Sequence, residues 1–365
     1  MKHSLLVLFS ATLIGIGCSG HKEIQPLSYT GIFNKDSVKE YLAIAPSAFA
    51  DSSKKLFLKA VDLLKNKKKA EASVPLFIQS LELYPTASGY YELGNALMAN
   101  ENAYNDADFA FKAYSMAELM DYKPWSHVLF QKACAASVSE DSRSSDFLTY
   151  AIMNGFVHRD KVLTNKFLLK YHSQEELNSI YVKAMAGNGD ADVVLWEGYS
   201  KQFGQAAFPF AIDSGTFASI GETVSISYDF EKFIPEMRDY KFSRDVGKDF
   251  FYFTRVNDNK VYKTVIYGAQ LFEAEDASPV SYTLASFTPT GRLIDKKVIA
   301  GQLTLDSAFR ECSFASNNEF EVKEYQNVYE KDTEKEGYAN NPIVKRDLLN
   351  TYKYSIDSTG RFIKL

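Results

Sequence analysis

The sequence is poor in the residues that carry most protein chemistry. It has three Cys and five His in 365 residues. Cys134 and Cys312 fall in different halves, lack metal-ligand spacing, and read as small buried residues. A disulfide between them would have to cross the domain boundary. His3 lies in the N-terminal signal-like run and His21 in the tether-like stretch after it, and His127, His158 and His172 stand singly along the helical half. There is no His-Glu-x-x-His pair for zinc, no Gly-x-Ser-x-Gly elbow, and no phosphate-binding or dinucleotide-binding glycine loop. Asp190-Ala191-Asp192 lacks the glycine and the closing Glu that a calcium loop needs, so it reads as a solvated linker. Glu273-Ala274-Glu275-Asp276 reads as an exposed loop. The expectation is therefore a protein that is not an enzyme, with no catalytic residue, no metal site and no cofactor. Long basic runs are also missing. Only Lys65-Asn66-Lys67-Lys68-Lys69 qualifies, it reads as a solvated turn, and the formal net charge is −5. Nucleic acid is disfavoured as a partner.

What is present is apolar and aromatic. Hydrophobic residues make up 46% of the chain, with 27 Phe and 23 Tyr, enough for buried cores in two domains. The first twenty residues pair a short basic start, Lys2 and His3, with an apolar run from Leu5 to Ile16. That run is too short for a comfortable span and reads as a secretory signal. It ends at Gly15-Ile16-Gly17-Cys18, which resembles the lipobox of bacterial lipoproteins, with Gly15 where that family usually has Leu. The resemblance implies cleavage before Cys18 and acylation of its thiol. Two or more acyl chains hold a protein stably on a bilayer, at about 0.8 kcal/mol per buried CH₂. Ser19 in place of Asp implies, by the same resemblance, the outer membrane of a Gram-negative envelope.

Residues 19–50 read as a tether, with Asp36 capping a short helix over Ser37–Ile44 that Pro46 ends. Helical periodicity begins near residue 51, capped by Asp51 or Ser52, and runs to about Met185. Ser73, Phe77, Ser80 and Leu81 share one helical face, and Pro85 stops that helix. Tyr90, Leu93, Gly94 and Leu97 share a face of the next. A mid-helix glycine costs about 1 kcal/mol against Ala, and a close helix crossing at Gly94 would justify it. With Ala107, Phe111 and Tyr114, this order resembles the tetratricopeptide repeat, a helix–turn–helix unit of about 34 residues. A first copy covers Lys54–Pro85 and a third, degenerate one Trp125–Phe156, ending at Gly155 as a left-handed cap. Chance spacing in a generic helical bundle is the alternative. The resemblance implies a groove lined by Tyr91, Asn95 and Met98 that takes a protein or peptide.

The best boundary is Ala186-Gly187-Asn188-Gly189-Asp190. Beyond it the period changes to two. Glu222–Tyr228 reads as a strand, and four hairpins follow, turning at 257–259, 289–291, 317–318 and 358–360. Two of the turns repeat Thr-Gly-Arg, at Thr290-Gly291-Arg292 and Thr359-Gly360-Arg361, where Gly supplies positive φ. The expected fold class is α+β in two domains: a tetratricopeptide-like helical array over 51–186, then an antiparallel β meander over 187–365, barrel-like or a sandwich. The leading expectation of function is a lipid-anchored adaptor that binds a protein partner through its helices. The second is a structural subunit docking on an outer-membrane complex through the aromatic strand Phe250–Phe253. The third is an enzyme or inhibitor carried on the β domain. Asp36-Ser37-Val38 and Asp306-Ser307-Ala308 also resemble Asp-Ser-aliphatic triplets that some bacteria O-glycosylate.

Overall fold

The structure, a computed structural model, describes residues 24–99, 103–186, 190–218, 223–237, 247–272, 278–338 and 340–365. The expected signal segment and Cys18 therefore lie outside the described residues, as do Glu273-Ala274-Glu275-Asp276.

The helical half is built from hairpins. α1 (Lys35–Leu42) precedes α2 (Ser47–Val61), α3 (Ala70–Leu83), α4 (Ala87–Ala99), α5 (Ala103–Leu119), α6 (Trp125–Val138) and α7 (Ser144–Met153). The pairs α2–α3, α4–α5 and α6–α7 are each antiparallel neighbours, and α3–α4 and α5–α6 join them into one stack. Short α8 (Arg159–Leu163) and amphipathic α9 (Gln174–Met185) close it. α9 opens with a capping box, in which the Ser173 hydroxyl accepts from Glu176 N at 3.2 Å and the Glu176 carboxylate accepts from Ser173 N at 2.9 Å.

Small residues let these helices touch. Ser73, Phe77, Ser80 and Leu81 are all buried on α3. The Ser53 hydroxyl donates to the Ser80 carbonyl at 2.8 Å, and the Ser80 hydroxyl donates back to the Ser53 carbonyl at 2.9 Å. At Gly94 the expected close crossing is present: a Cβ there would sit 2.5 Å from the Tyr114 ring. Ala107, Ala110, Ala113 and Ala117 make the buried face of α5.

Two expectations for the N-terminal side are corrected. Residues 24–50 are packed on the array, where a tether was expected. Ile32, Val38 and Tyr41 are buried, Tyr41 donates to the Leu83 carbonyl at 2.8 Å, and the Tyr90 hydroxyl bonds the Ile32 carbonyl. The helix caps also shift. Asn34, and not Asp36, caps α1 by accepting from Ser37 N at 2.9 Å. α2 begins at Ser47 directly after Pro46, whose fixed φ suits a helix start, so Asp51 and Ser52 lie inside it.

The C-terminal half begins with a helix that the strand-like reading did not anticipate, α10 (Ala191–Ser200), capped by Asp190. The strands are β1 (Phe210–Ile212), β2 (Lys248–Asp258), β3 (Lys263–Leu271), β4 (Val280–Phe287), β5 (Leu293–Gly301), β6 (Phe309–Phe314), β7 (Glu319–Tyr329), β8 (Ile343–Ile356) and β9 (Phe362–Lys364). The short helices α11 (Ser214–Ala218) and α12 (Thr333–Glu336) sit in connections. Every strand pair is antiparallel, in the order β2-β3-β4-β5-β6-β7-β8-β9. β5 meets β6 only at Gly301↔Arg310, and β1 pairs β6 instead. All four expected hairpins form. The two Thr-Gly-Arg turns share one hydrogen-bond pattern, with Thr288 N to Arg292 O at 2.8 Å and Asp357 N to Arg361 O at 3.0 Å, and Gly291 and Gly360 take φ of 84° and 87°. The expected strand over Glu222–Tyr228 is reduced to one bridge, Ser225↔Phe251, followed by a 3-10 turn at Tyr228–Phe230.

Both faces of β2–β4 are apolar, and each face has its own core. Phe251, Ile266, Tyr282 and Leu284 point into one, shared with Cys312, Phe314 and Phe320. Phe250, Val265, Tyr267 and Ala285 point into the other, roofed by Trp196 and Tyr199 of α10 and by Phe230 and Phe233. The period-two alternation is thus filled on both sides.

Candidate binding cleft between the helices and the sheet

The two halves meet along α10. Its Gly198 lies against the end of α7, so closely that a Cβ would come within 2.3 Å of the Asn154 carbonyl oxygen. Gly155, expected as a left-handed cap, takes φ of 106° at this contact. Gln202 bridges the same seam. Its amide donates to the Gly198 carbonyl at 2.7 Å, and its oxygen accepts from Trp125 N at 3.2 Å. One of the unpaired N–H groups at the start of α6 is thereby satisfied from the other half.

Beside this seam stands a charged cluster. The 3-10 turn at Tyr228–Phe230 places Asp229 between two histidines of the helical half. Asp229 Oδ2 is 2.6 Å from His127 Nε2, and Oδ1 is 3.3 Å from His158 Nε2. The Ser227 hydroxyl fixes the turn by accepting from Asp229 N at 3.2 Å. The hydrogen bond from His127 holds the Asp229 carboxyl well below the usual carboxylate range, and it outweighs the opposing cost of burial. Phe156 sits between the imidazoles, edge-on to both, and stacks on Phe130 at 3.9 Å.

The surfaces on either side of the seam diverge into a cleft of about 810 Å³. The helical wall is made of Thr86–Ser88 at the start of α4, and of Met120, Tyr122–Pro124 and His127 around the start of α6, with Lys161 beyond. The sheet wall is Thr223–Asp229 with Met237 and Lys248–Phe250. Lys123 is buried in the helical wall, its Nζ 3.4 Å above the Trp125 ring and 2.7 Å from Asp121 Oδ1. Burial lowers its amine pKa, while Asp121 acts to raise it. The cleft thus has apolar, hydroxyl and charged groups of both signs, with residues of both halves required to form it. Ligand sites favour such junctions.

Of the expected site residues, Cys18 lies outside the described residues. Tyr91 and Met98 were expected to line an open groove, and here they are buried, at 8% and 3% exposure. Tyr91 stacks on Tyr122 at 4.2 Å and packs against Tyr114. Asn95 is half-buried and bonded on both ends, to Glu92 at 3.1 Å and to the Tyr114 hydroxyl at 3.0 Å. The reason is local: buried Glu92, paired with Lys65 at 2.5 Å, gathers this network inward. That ion pair also gives the basic turn a structural contact. The aromatic strand Phe250–Phe253 offers little surface, because Phe250 and Phe251 fill the two cores. Cys134 and Cys312 are free and buried, and burial pushes both thiols up. Ser37 lies in α1, and the Ser307 hydroxyl is held in a turn, donating to the Thr304 carbonyl at 2.8 Å.

The sequence reading passed over His127, His158 and Asp229 as a group. They are far apart in the chain, and no spacing rule connects them. Among the described residues no set of three or more His, Cys, Asp or Glu is arranged to hold a metal ion, and no helix is long and apolar enough to cross a membrane. In comparisons with known proteins, no family model, no curated protein and no solved structure matches this chain.

Proposed function

We propose that this is a lipid-anchored envelope protein that binds a protein or peptide partner in the cleft between its two halves, acting as an adaptor and not as an enzyme. The observation that carries the reading is the cleft itself: its walls come from both halves, and they are fixed by the Asp229 cluster and the Gly198 contact. Three successive helical hairpins joined by close small-residue crossings support a short tetratricopeptide-like stack. In this reading the ligand contacts the starts of α4 and α6, displaced from the Tyr91, Asn95 and Met98 surface. The sheet domain is read as barrel-like. Asp295 on β5 accepts from Phe362 N on β9 at 2.9 Å, and Lys297 lies 4.6 Å over the Tyr354 ring, so strands distant in the order approach each other around one core.

The anchor sets the geometry. Ile24 lies six residues beyond Cys18, so acylated Cys18 keeps the first packed residues within about 20 Å of the bilayer. Cys18→Ser is expected to move the protein from the membrane to the soluble fraction.

Site-specific photo-crosslinking in cells tests the cleft. A probe at Ser88, exposed on the helical wall, is expected to capture one discrete protein, while a control at Leu58 on the outer face of α2 captures none. Equal capture at both, or none at Ser88, contradicts the reading.

A further inference from the structure

The β7–β8 ribbon runs past the rest of the sheet. β6 stops pairing with β7 at Tyr325, whereas β7 and β8 remain paired as far as Tyr329↔Ile343. On its other side β8 pairs with β9 only from Tyr354 to Ile356. Among the described residues, the β8 edge from Ile343 to Tyr352 has no strand beside it. Ile343, Val344, Leu348 and Leu349 are exposed along it. An open edge presents unpaired amide and carbonyl groups and acts as a template for another strand. We propose that this edge pairs with β8 of a second copy of the chain, antiparallel about a two-fold axis at Arg346, to give a homodimer.

Charge selects both the occupant and the register. In a two-fold antiparallel pair, residues opposite each other must share one hydrogen-bonding type, so one residue always lies opposite its own copy. With Arg346 on the axis, Lys345 lies opposite Asp347 of the second copy, and Asp347 lies opposite its Lys345. A shift of one residue loses this match. About Asp347, Lys345 would face Leu349, and about Lys345, Asp347 would face Ile343. Within each chain Lys345 Nζ and Asp347 Oδ1 already lie 2.5 Å apart on one face, so the paired copies form a ring of four alternating charges. The two Arg346 side chains do not meet as free charges. Each guanidinium lies 3.9 Å over its own Phe309 ring and donates from Nε to Asn327 Oδ1 at 3.2 Å. Register shifts near Val344 and Leu349 end the regular ladder on both sides of the axis. The paired stretch is therefore short, and the dimer dissociates on dilution.

Sedimentation velocity on the intact chain carrying Cys18→Ser, which removes association through acyl chains, tests this independently of the cleft. A concentration-dependent monomer–dimer equilibrium is expected. Lys345→Glu alone and Asp347→Lys alone are each expected to weaken it at least tenfold, because like charges then face each other twice. An equimolar mixture of the two variants is expected to regain the dimer, since opposite charges again meet across the axis. The Lys345 and Asp347 side chains are 67% and 46% exposed, so circular dichroism should show both variants folded. A monomer at all concentrations, a dimer that survives both single changes, or a mixture that stays monomeric would each overturn the proposal.

Discussion

The close helix crossings of the array and the layer between α10 and the sheet bury their apolar surface by different means. Between helices the contact residues are small: Ser53 against Ser80, Gly94 under Tyr114, and four alanines along α5. Backbones come close, and serine hydroxyls bond across the gap to carbonyls. Between α10 and the sheet the filling is aromatic. Trp196, Tyr199, Phe233 and Phe287 meet with ring centroids 4.6 to 6.5 Å apart. A helix over a sheet leaves a thicker layer than a serine-lined helix pair, and large rings fill it with few side chains. The difference shows which residues each half tolerates. Added atoms are costly in both halves, at Gly94 under Tyr114 and at Gly268 under Phe251, while removed rings are felt most in the layer between α10 and the sheet. The seam between them uses the rule of the array, because Gly198 meets backbone there.

The largest expected effect follows from that seam. Gly198→Val puts branched carbon where only 2.3 Å separates a Cβ from the Asn154 carbonyl. A loss of about 3 kcal/mol or more is expected, and urea unfolding should split into two transitions as the halves part. Phe233→Ala removes a ring from the aromatic layer and is expected to cost about 3 kcal/mol, read as a lowered urea midpoint of the single transition.

Asp229→Asn is expected to cost about 1–2 kcal/mol by removing the charge that His127 and His158 face. Its pH dependence sharpens the comparison. A carboxyl with a depressed folded pKa stabilises the fold fully above its unfolded value, near pH 4, and loses that contribution as pH falls through the lower folded value. The gap in urea midpoint between wild type and Asp229→Asn should therefore be full at pH 7 and begin to narrow only below about pH 4, as pH falls toward the depressed folded value. The smallest effect belongs to the helix hydroxyls. Ser80→Ala loses its bonds to Ser53 and is expected to cost about 1 kcal/mol, measured as a lowered midpoint.

The array was legible because its contact residues repeat at helical spacing: Ser73, Phe77 and Ser80, then Gly94 with Tyr114. The hairpins were legible from alternation broken by Asn, Gly and Thr. α10 was not, because Val193-Val194-Leu195-Trp196 is a continuous apolar run without a 3–4 period, following a glycine-rich boundary. The packing of residues 24–50 was missed because Ile32, Val38 and Tyr41, with Leu27, Phe33 and Leu42 beside them, follow no sustained helical or strand period. The Asp229 cluster has no local signature, since tertiary docking alone brings residues 127, 158 and 229 together. The burial of Tyr91 likewise depends on a neighbour, Tyr122, that a repeat pattern does not encode.

The central claim is that the two differently packed halves are one unit, closed at Gly198 and Asp229 so that the cleft has fixed walls. The most direct test is equilibrium urea unfolding followed by two probes. Trp196 fluorescence, with Trp125 replaced by Phe, reports the sheet layer, and far-ultraviolet circular dichroism at 222 nm reports chiefly the helices. The account predicts coincident transitions for this otherwise native chain, and separate ones once Gly198→Val is added. Two separate transitions before Gly198 is touched would contradict it.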